Sequence, residues 1–250
     1  MTVFFDLDRT LLDFETAENC GIRAVFEAYS AEIKMEYDEF QSEWKKWAQR
    51  FFDQYSAGKL SFSRQRMMRV AKIFELNGAP VDESELESRF AVYLASYENA
   101  FGLFDDVIPV LEKLRQSSFR LALITNGDSV NQRAKLEKAG ITGFFNPIVI
   151  SSEAGASKPD LRIFQEALQR AHGSAGDSWY VGDSMEHDII PARKIGMNAL
   201  YLNRNRNGRL NIEFSVEGTA YAEIKSLHEI FEVLAKKNRD SGEKNEEKII

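Results

Sequence analysis

The chain has 250 residues, 44% apolar and 28% charged, which is the balance of an ordinary globular protein whose core needs no staples. Its 39 acidic and 32 basic side chains leave a formal charge of -7, which excludes holding nucleic acid or anionic membrane by bulk electrostatics. A single cysteine, Cys20, excludes an internal disulfide and a cysteine zinc cluster, and three scattered histidines argue against a histidine metal site.

The first residues, Met1-Thr2-Val3-Phe4-Phe5, run straight into Asp6 with no signal-peptide core. The longest uncharged stretch, Ala139 to Ser152, is broken by Gly140, Gly143 and Pro147 and falls short of the roughly 20 apolar residues a spanning helix needs. These features predict a soluble, cytoplasmic chain with no membrane or nucleic-acid partner.

In chain order, Val3–Leu7 reads as a buried strand. Residues 14–100 then show only helical periodicity: Ile22, Val25, Phe26 and Tyr29; Trp44, Trp47, Phe51 and Tyr55; Met67, Val70, Ala71 and Phe74. From Phe101 onward strands and helices alternate. Helix Val107–Arg115 precedes strand Arg120–Ile124, and helix Ser129–Ala139, stopped by Gly140, precedes strand Pro147–Ile150. Helix Asp160–Ala171 follows Pro159, a residue favoured at the first helical position, and precedes strand Ser178–Val181. Ser184 caps a helix over Met185–Ile195 ending at Gly196, before strands Ala199–Leu202 and Ala220–Ile224. The pattern predicts an α/β fold, a Rossmann-like parallel sheet with helices on both faces, formed by 1–13 and 101–237. An α-helical domain, 14–100, is inserted after the first strand, and the polar tail 238–250 reads as a disordered extension.

Four polar clusters fall at strand ends, where open α/β sheets bind ligands. Asp6 and Asp8 close the first strand, and alternation places them on one side, about 7 Å apart. Two carboxylates so close suit a nucleophile or metal ligand beside a general acid/base. Thr125-Asn126-Gly127 ends the second strand with a hydroxyl, an amide and a glycine backbone suited to an oxyanion. Lys158 precedes a helix, where ammonium and helix dipole both favour an anion. Gly182-Asp183 through Asp188 adds two acids, hard oxygen donors of the kind Mg²⁺ prefers.

These residues resemble the haloacid dehalogenase superfamily of aspartate-nucleophile phosphohydrolases, in the class that carries a helical cap after its first motif. Four motifs occur in order: Asp-x-Asp-x-Thr (Asp6 to Thr10), a strand-end Thr125, Lys158 before a helix, and Gly-Asp-x₄-Asp (Gly182, Asp183, Asp188). The resemblance implies that Asp6 is the nucleophile, forming an aspartyl-phosphate, and that Asp8 is the general acid and then base. It implies that Thr125, Asn126 and Lys158 hold the phosphoryl oxygens. Mg²⁺ would sit on Asp6, the Asp8 carbonyl and Asp183, with Asp188 supporting the metal or orienting Lys158 and Thr10 positioning the first loop.

Two positions depart from the family pattern: Arg9 stands where glycine is common, and Asp8 stands where the family's dehalogenases carry tyrosine. A carboxylate there favours phosphoryl transfer over dehalogenation. Four site carboxylates against Lys158 alone would repel a dianionic phosphate, which predicts strict dependence on a divalent ion. The neighbourhood of Thr125, with Gln132 and Leu136, looks like the branch holding nucleoside 5′-monophosphate phosphatases. Phosphatases of sugar phosphates, phosphoglycolate or flavin mononucleotide, a phosphomutase, and a protein that only senses a phosphorylated ligand stay open. The expected partner is a small phosphorylated metabolite. The aromatic stripe Trp44–Tyr55 reads as helix core, with base stacking as the sharper alternative. Arg204, Arg206 and Arg209 read as a solvated basic loop.

Overall fold

Thr2–Phe5 (β1) is buried on both sides and is the third strand of a seven-stranded sheet. In the computed structural model the described residues are 1–204, 211–216 and 219–236, with backbone alone at 211–216 and 219–220. β1 pairs in parallel with Arg120–Thr125 (β2) on one side and Ser178–Gly182 (β4) on the other, so that Phe5 stands level with Leu123 and Val181. Ile148–Ile150 (β3) extends the sheet beyond β2. Asn198–Leu202 (β5) and Thr219–Ile224 (β7) extend it beyond β4, all in parallel. The edge strand Asn211–Val216 (β6) runs antiparallel to β7. β6 is not among the strands expected above, although Ile212, Phe214 and Val216 alternate in the sequence with Glu213 and Ser215.

Alternation divides the buried side chains between the two faces. Phe4, Ala122, Ile124, Val149 and Tyr180 pack with Ile163, Phe164 and Ala167 of helix Leu161–Arg170. Val107, Val110, Leu111 and Leu114 bury the apolar side of helix Val107–Gln116, which packs near β2. The sheet thus has helices on both faces, and the order of strands reverses at β1. That reversal opens a crevice at the carboxyl ends of β1, β2 and β4.

Contacts divide the chain into two compact units, one of Met1–Leu11 with the residues from Leu103 onward and one of Leu12–Gly102. The second is helical: Phe14–Ala28 (α1), Tyr37–Ser56 (α2), Phe62–Leu76 (α3) and Leu86–Ala100 (α4). Asp13 caps α1 through the Thr16 N–H and Ser61 caps α3 through the Arg64 N–H, each at 3.1 Å. Trp44 is fully buried and stacks on Tyr93, with ring centroids 5.2 Å apart. The Asp13 N–H donates to the Gly102 carbonyl at 3.0 Å, tying together the two ends of the unit.

Two boundaries differ from the sequence expectation. Asp160, not Pro159, opens the helix at Leu161, accepting from the Arg162 N–H at 2.9 Å, so the proline lies before the cap. The turn after Ser184 is not a regular α-helix. Met185–Ile189 forms a wide π-helical turn, with the Asp188 and Ile189 N–H groups both on the Ser184 carbonyl, before Ile190–Lys194 continues as α-helix. Such turns recur at functional sites because they re-aim a side chain.

Candidate active site

The crevice at the carboxyl end of the sheet gathers most of the residues singled out above. Asp6 follows β1 and continues its bonding, its N–H donating to the Val181 carbonyl at 2.9 Å. The side chain of Lys158, only 4% exposed, places its ammonium 2.6 Å from Asp6 Oδ1, 2.6 Å from Asp188 Oδ1 and 3.0 Å from the Tyr180 hydroxyl. The wide turn brings Asp188 inward, where its second oxygen accepts from the Ser184 N–H at 3.1 Å. One carboxylate oxygen each of Asp6, Asp183 and Asp188 lie within 4.8 Å of one another.

The Lys158 ammonium thus pairs with two of the three clustered carboxylates. Burial pushes the Asp6 carboxyl up from 3.8 to about 8, with Lys158 opposing and Asp188 and Asp183 adding to the rise. Asp183 rises to about 6, again through burial first and then Asp188, opposed by Lys158 and Arg9. Burial disfavours the charge on Lys158, but Asp188 and Asp6 outweigh it and hold the ammonium well above the usual lysine value. The three acids are short of positive charge, and they offer only hard oxygen donors. That combination fits a divalent cation such as Mg²⁺.

Asp8 stands apart from this group. Regular strand ends at Phe5, so alternation does not carry the pair as far as Asp8. Its carboxylate instead meets helix Ser129–Lys138: Lys135 Nζ lies 2.7 and 2.8 Å from its two oxygens, and Gln132 Nε2 donates to Oδ2 at 3.0 Å. The same Gln132 amide donates to Thr125 Oγ1 at 2.7 Å. Neither Gln132 nor Lys135 is among the expected site residues. Their signal was available, because residues three apart on a helix that opens after Thr125-Asn126-Gly127 share one face.

Asn126 fastens the lysine loop rather than pointing a free amide at the crevice. Its Oδ1 accepts from the Lys158 N–H at 2.8 Å, and its Nδ2 donates to the Lys158 carbonyl at 2.9 Å. Thr10 is buried, and its hydroxyl finds no hydrogen-bond partner among the described residues. Arg9 holds φ 67°, a left-handed backbone that glycine adopts without cost.

Arg204 is tied down and only partly exposed. Its guanidinium makes two 3.0 Å bonds to the Asp106 carboxylate, donates to the Thr10 carbonyl at 2.9 Å and lies 3.7 Å over the Phe104 ring. Arg206 and Arg209, and the tail 238–250, lie outside the described residues. In the aromatic stripe, Trp44 and Phe51 are core, whereas the half-buried Trp47 lies against Phe51 and donates to Glu43 at 2.9 Å.

The family profile of the haloacid dehalogenase-like hydrolases matches residues 3–202. The chain belongs to that family, and within it is an enzyme of the phosphatase kind. The crystal structure of the HAD-hydrolase YfnB of Bacillus subtilis, solved bound to magnesium, superposes with a TM-score of 0.75 at 26% identity, covering 94% of this chain and 98% of that one. The glyceraldehyde 3-phosphate phosphatase of Methanopyrus kandleri is 31% identical over 82% of this chain and 84% of its own. The pyrimidine 5′-nucleotidase YjjG of Escherichia coli is 29% identical over 94% and 97%. No helix among the described residues is long and apolar enough to cross a membrane.

Proposed function

We propose that the protein hydrolyses phosphomonoesters of small metabolites, nucleoside 5′-monophosphates foremost, in a divalent-ion-dependent reaction through an aspartyl-phosphate on Asp6. The observation that carries this reading is the division of labour between the two aspartates. Asp6 is buried against Lys158 among acids that call for a cation, while Asp8 is held separately by Lys135 and Gln132.

In the first step an Asp6 carboxylate oxygen attacks phosphorus, and the bond from phosphorus to the alcohol oxygen breaks. Asp8, entering this step protonated, gives that oxygen its proton, so the alcohol leaves neutral and Asp8 is left as the carboxylate. In the second step Asp8 takes a proton from a water that attacks the phosphorus of phospho-Asp6, releasing phosphate and restoring the carboxylate. Lys158, with Thr125 and the loop fastened by Asn126, receives the phosphoryl oxygens. Asp6, Asp183 and the Asp8 carbonyl would hold Mg²⁺, with Asp188 supporting it. When bound, the ion supplies positive charge to the phosphoryl group and offsets the acids around it. Residues 14–100 serve in this reading as the cap that selects the substrate.

The names of the relatives favour two substrate classes, pyrimidine nucleotides and sugar phosphates such as glyceraldehyde 3-phosphate. A turnover screen over nucleotides, sugar phosphates, phosphoglycolate and flavin mononucleotide, with and without Mg²⁺, tests the proposal. Phosphate release from a nucleoside 5′-monophosphate that stops with EDTA is expected. Full turnover in EDTA contradicts the divalent-ion requirement, and isomerised hexose phosphate without phosphate release would identify a mutase instead.

A further inference from the structure

We infer that Lys135, together with Gln132, is the positioning residue for the proton-transferring carboxylate of Asp8. This rests on the reading of Asp8 as acid and base given above. Three contacts from one helical face fix the Asp8 side chain: two from the Lys135 ammonium, at 2.7 and 2.8 Å, and one from the Gln132 amide, at 3.0 Å. The pair is shielded, with the Lys135 side chain 11% exposed and that of Asp8 27% exposed. It is therefore unlike the open surface pairs that contribute almost nothing. Gln132 is itself buried and also donates to Thr125 Oγ1 at 2.7 Å, so one amide sets the distance between the end of β2 and the Asp8 carboxylate.

The loop before the helix is shaped to admit this amide. Gly127 holds φ +144°, and a Cβ there would stand 3.0 Å from Gln132 Cγ and Cδ. Asp128 then caps the helix through the Asn131 N–H at 3.1 Å, which fixes the rotation that points positions 132 and 135 the same way. A carboxylate that must reach a leaving oxygen and later a water gains rate from being held in one orientation, and this helix supplies the hold.

Proton donation matters most when the leaving group is a poor one. An alkyl ester such as uridine 5′-monophosphate or glyceraldehyde 3-phosphate needs the proton as its bond to phosphorus breaks, whereas p-nitrophenyl phosphate releases a stabilised phenolate without one. Lys135→Met is therefore expected to lower kcat/KM for the alkyl esters by about 10²-fold and that for p-nitrophenyl phosphate by only about 3-fold. Lys135→Arg, which keeps two donors on the carboxylate, should restore most of the loss. Lys135→Gln provides a second uncharged variant should the methionine protein fail to fold, and thermal melting reports which variants are folded. A ratio of alkyl to aryl activity unchanged from wild type, whether both fall equally or neither falls, overturns the inference. Asp8→Asn separates the two levels: if it also leaves that ratio unchanged, Asp8 is not the proton donor and the functional reading itself fails. If Asp8→Asn shifts the ratio and the Lys135 variants do not, only the role of Lys135 is lost.

Discussion

Gly182 and Asp188 share space that a single methyl group would fill: a Cβ built on Gly182 would stand 2.5 Å from both Cγ and Oδ2 of Asp188. The glycine at the end of β4 is what lets the Asp188 carboxylate lie under the strand and bond Lys158, Tyr180 and the Ser184 N–H together. Gly182→Ala must push Asp188 aside. Turnover is expected to fall by about 10²-fold, since small displacements at a reacting centre carry costs of that order. A Mg²⁺ titration of activity should show a higher half-saturating concentration. An alanine variant with wild-type turnover and metal response would show that Asp188 is not held by this contact.

The raised carboxyls make stability depend on pH in a particular direction. Asp6 and Asp183 titrate near 8 and 6 in the folded chain against 3.8 in the unfolded one, so the fold binds their protons more tightly. Their contribution is fully present below about 3.8 and is lost as pH rises through 6 and then 8. Without divalent ions, Tm should fall between pH 5 and pH 8. A cation that prefers the ionised acids reverses this, so Mg²⁺ should raise Tm more at pH 8 than at pH 5. Equal increments at both pH values would contradict this account of the acids.

Arg204 is expected to matter for stability rather than chemistry. It fastens the Thr10 carbonyl, at the end of the first motif, to Asp106 at the start of helix Val107–Gln116. Asp106 also accepts from the Ser226 hydroxyl at 2.8 Å and the Leu227 N–H at 2.9 Å, so one carboxylate joins three segments. Arg204→Ala leaves that carboxylate partly buried without its cation and should cost about 2–3 kcal/mol by denaturant unfolding. A loss below about 0.5 kcal/mol would show the pair to be an ordinary surface one.

Much of the candidate site was legible in the sequence because Asp6, Thr125 and Asp183 sit at strand ends. A parallel sheet whose order reverses at β1 brings Asp6, Thr125 and Asp183 to one edge whatever the lengths of the intervening helices. Lys158 was legible on a different ground, as a lysine just before a capped helix, since it lies past β3 and beyond the short helix Ser151–Ala154. Lys135 was not, because a lysine on an amphipathic helix looks like any solvated charge until the tertiary fold places Asp8 beside it. Arg204 differs from expectation on the same ground: a charged residue after a strand suggests solvent, and only the tertiary fold packs it against Phe104 and Asp106. Asp6 and Asp8 both lie beyond the regular strand, which ends at Phe5, so strand alternation does not set the orientation of their side chains. The wide turn at 185–189 has no signature in the sequence beyond the capping serine.

The central claim is that Asp6 carries the phosphoryl group. Rapid quench of the protein with Mg²⁺ and ³²P-labelled substrate, followed by borohydride reduction and peptide mass spectrometry, tests it most directly. An acyl phosphate on the side chain is reduced to homoserine with loss of its phosphate, so the account predicts acid-stable, base-labile label on the peptide containing residue 6 before reduction, homoserine at that position with the label released after it, and neither in Asp6→Asn. Label or homoserine at another residue, or steady turnover with no covalent phosphate in the quenched wild-type protein, would contradict it.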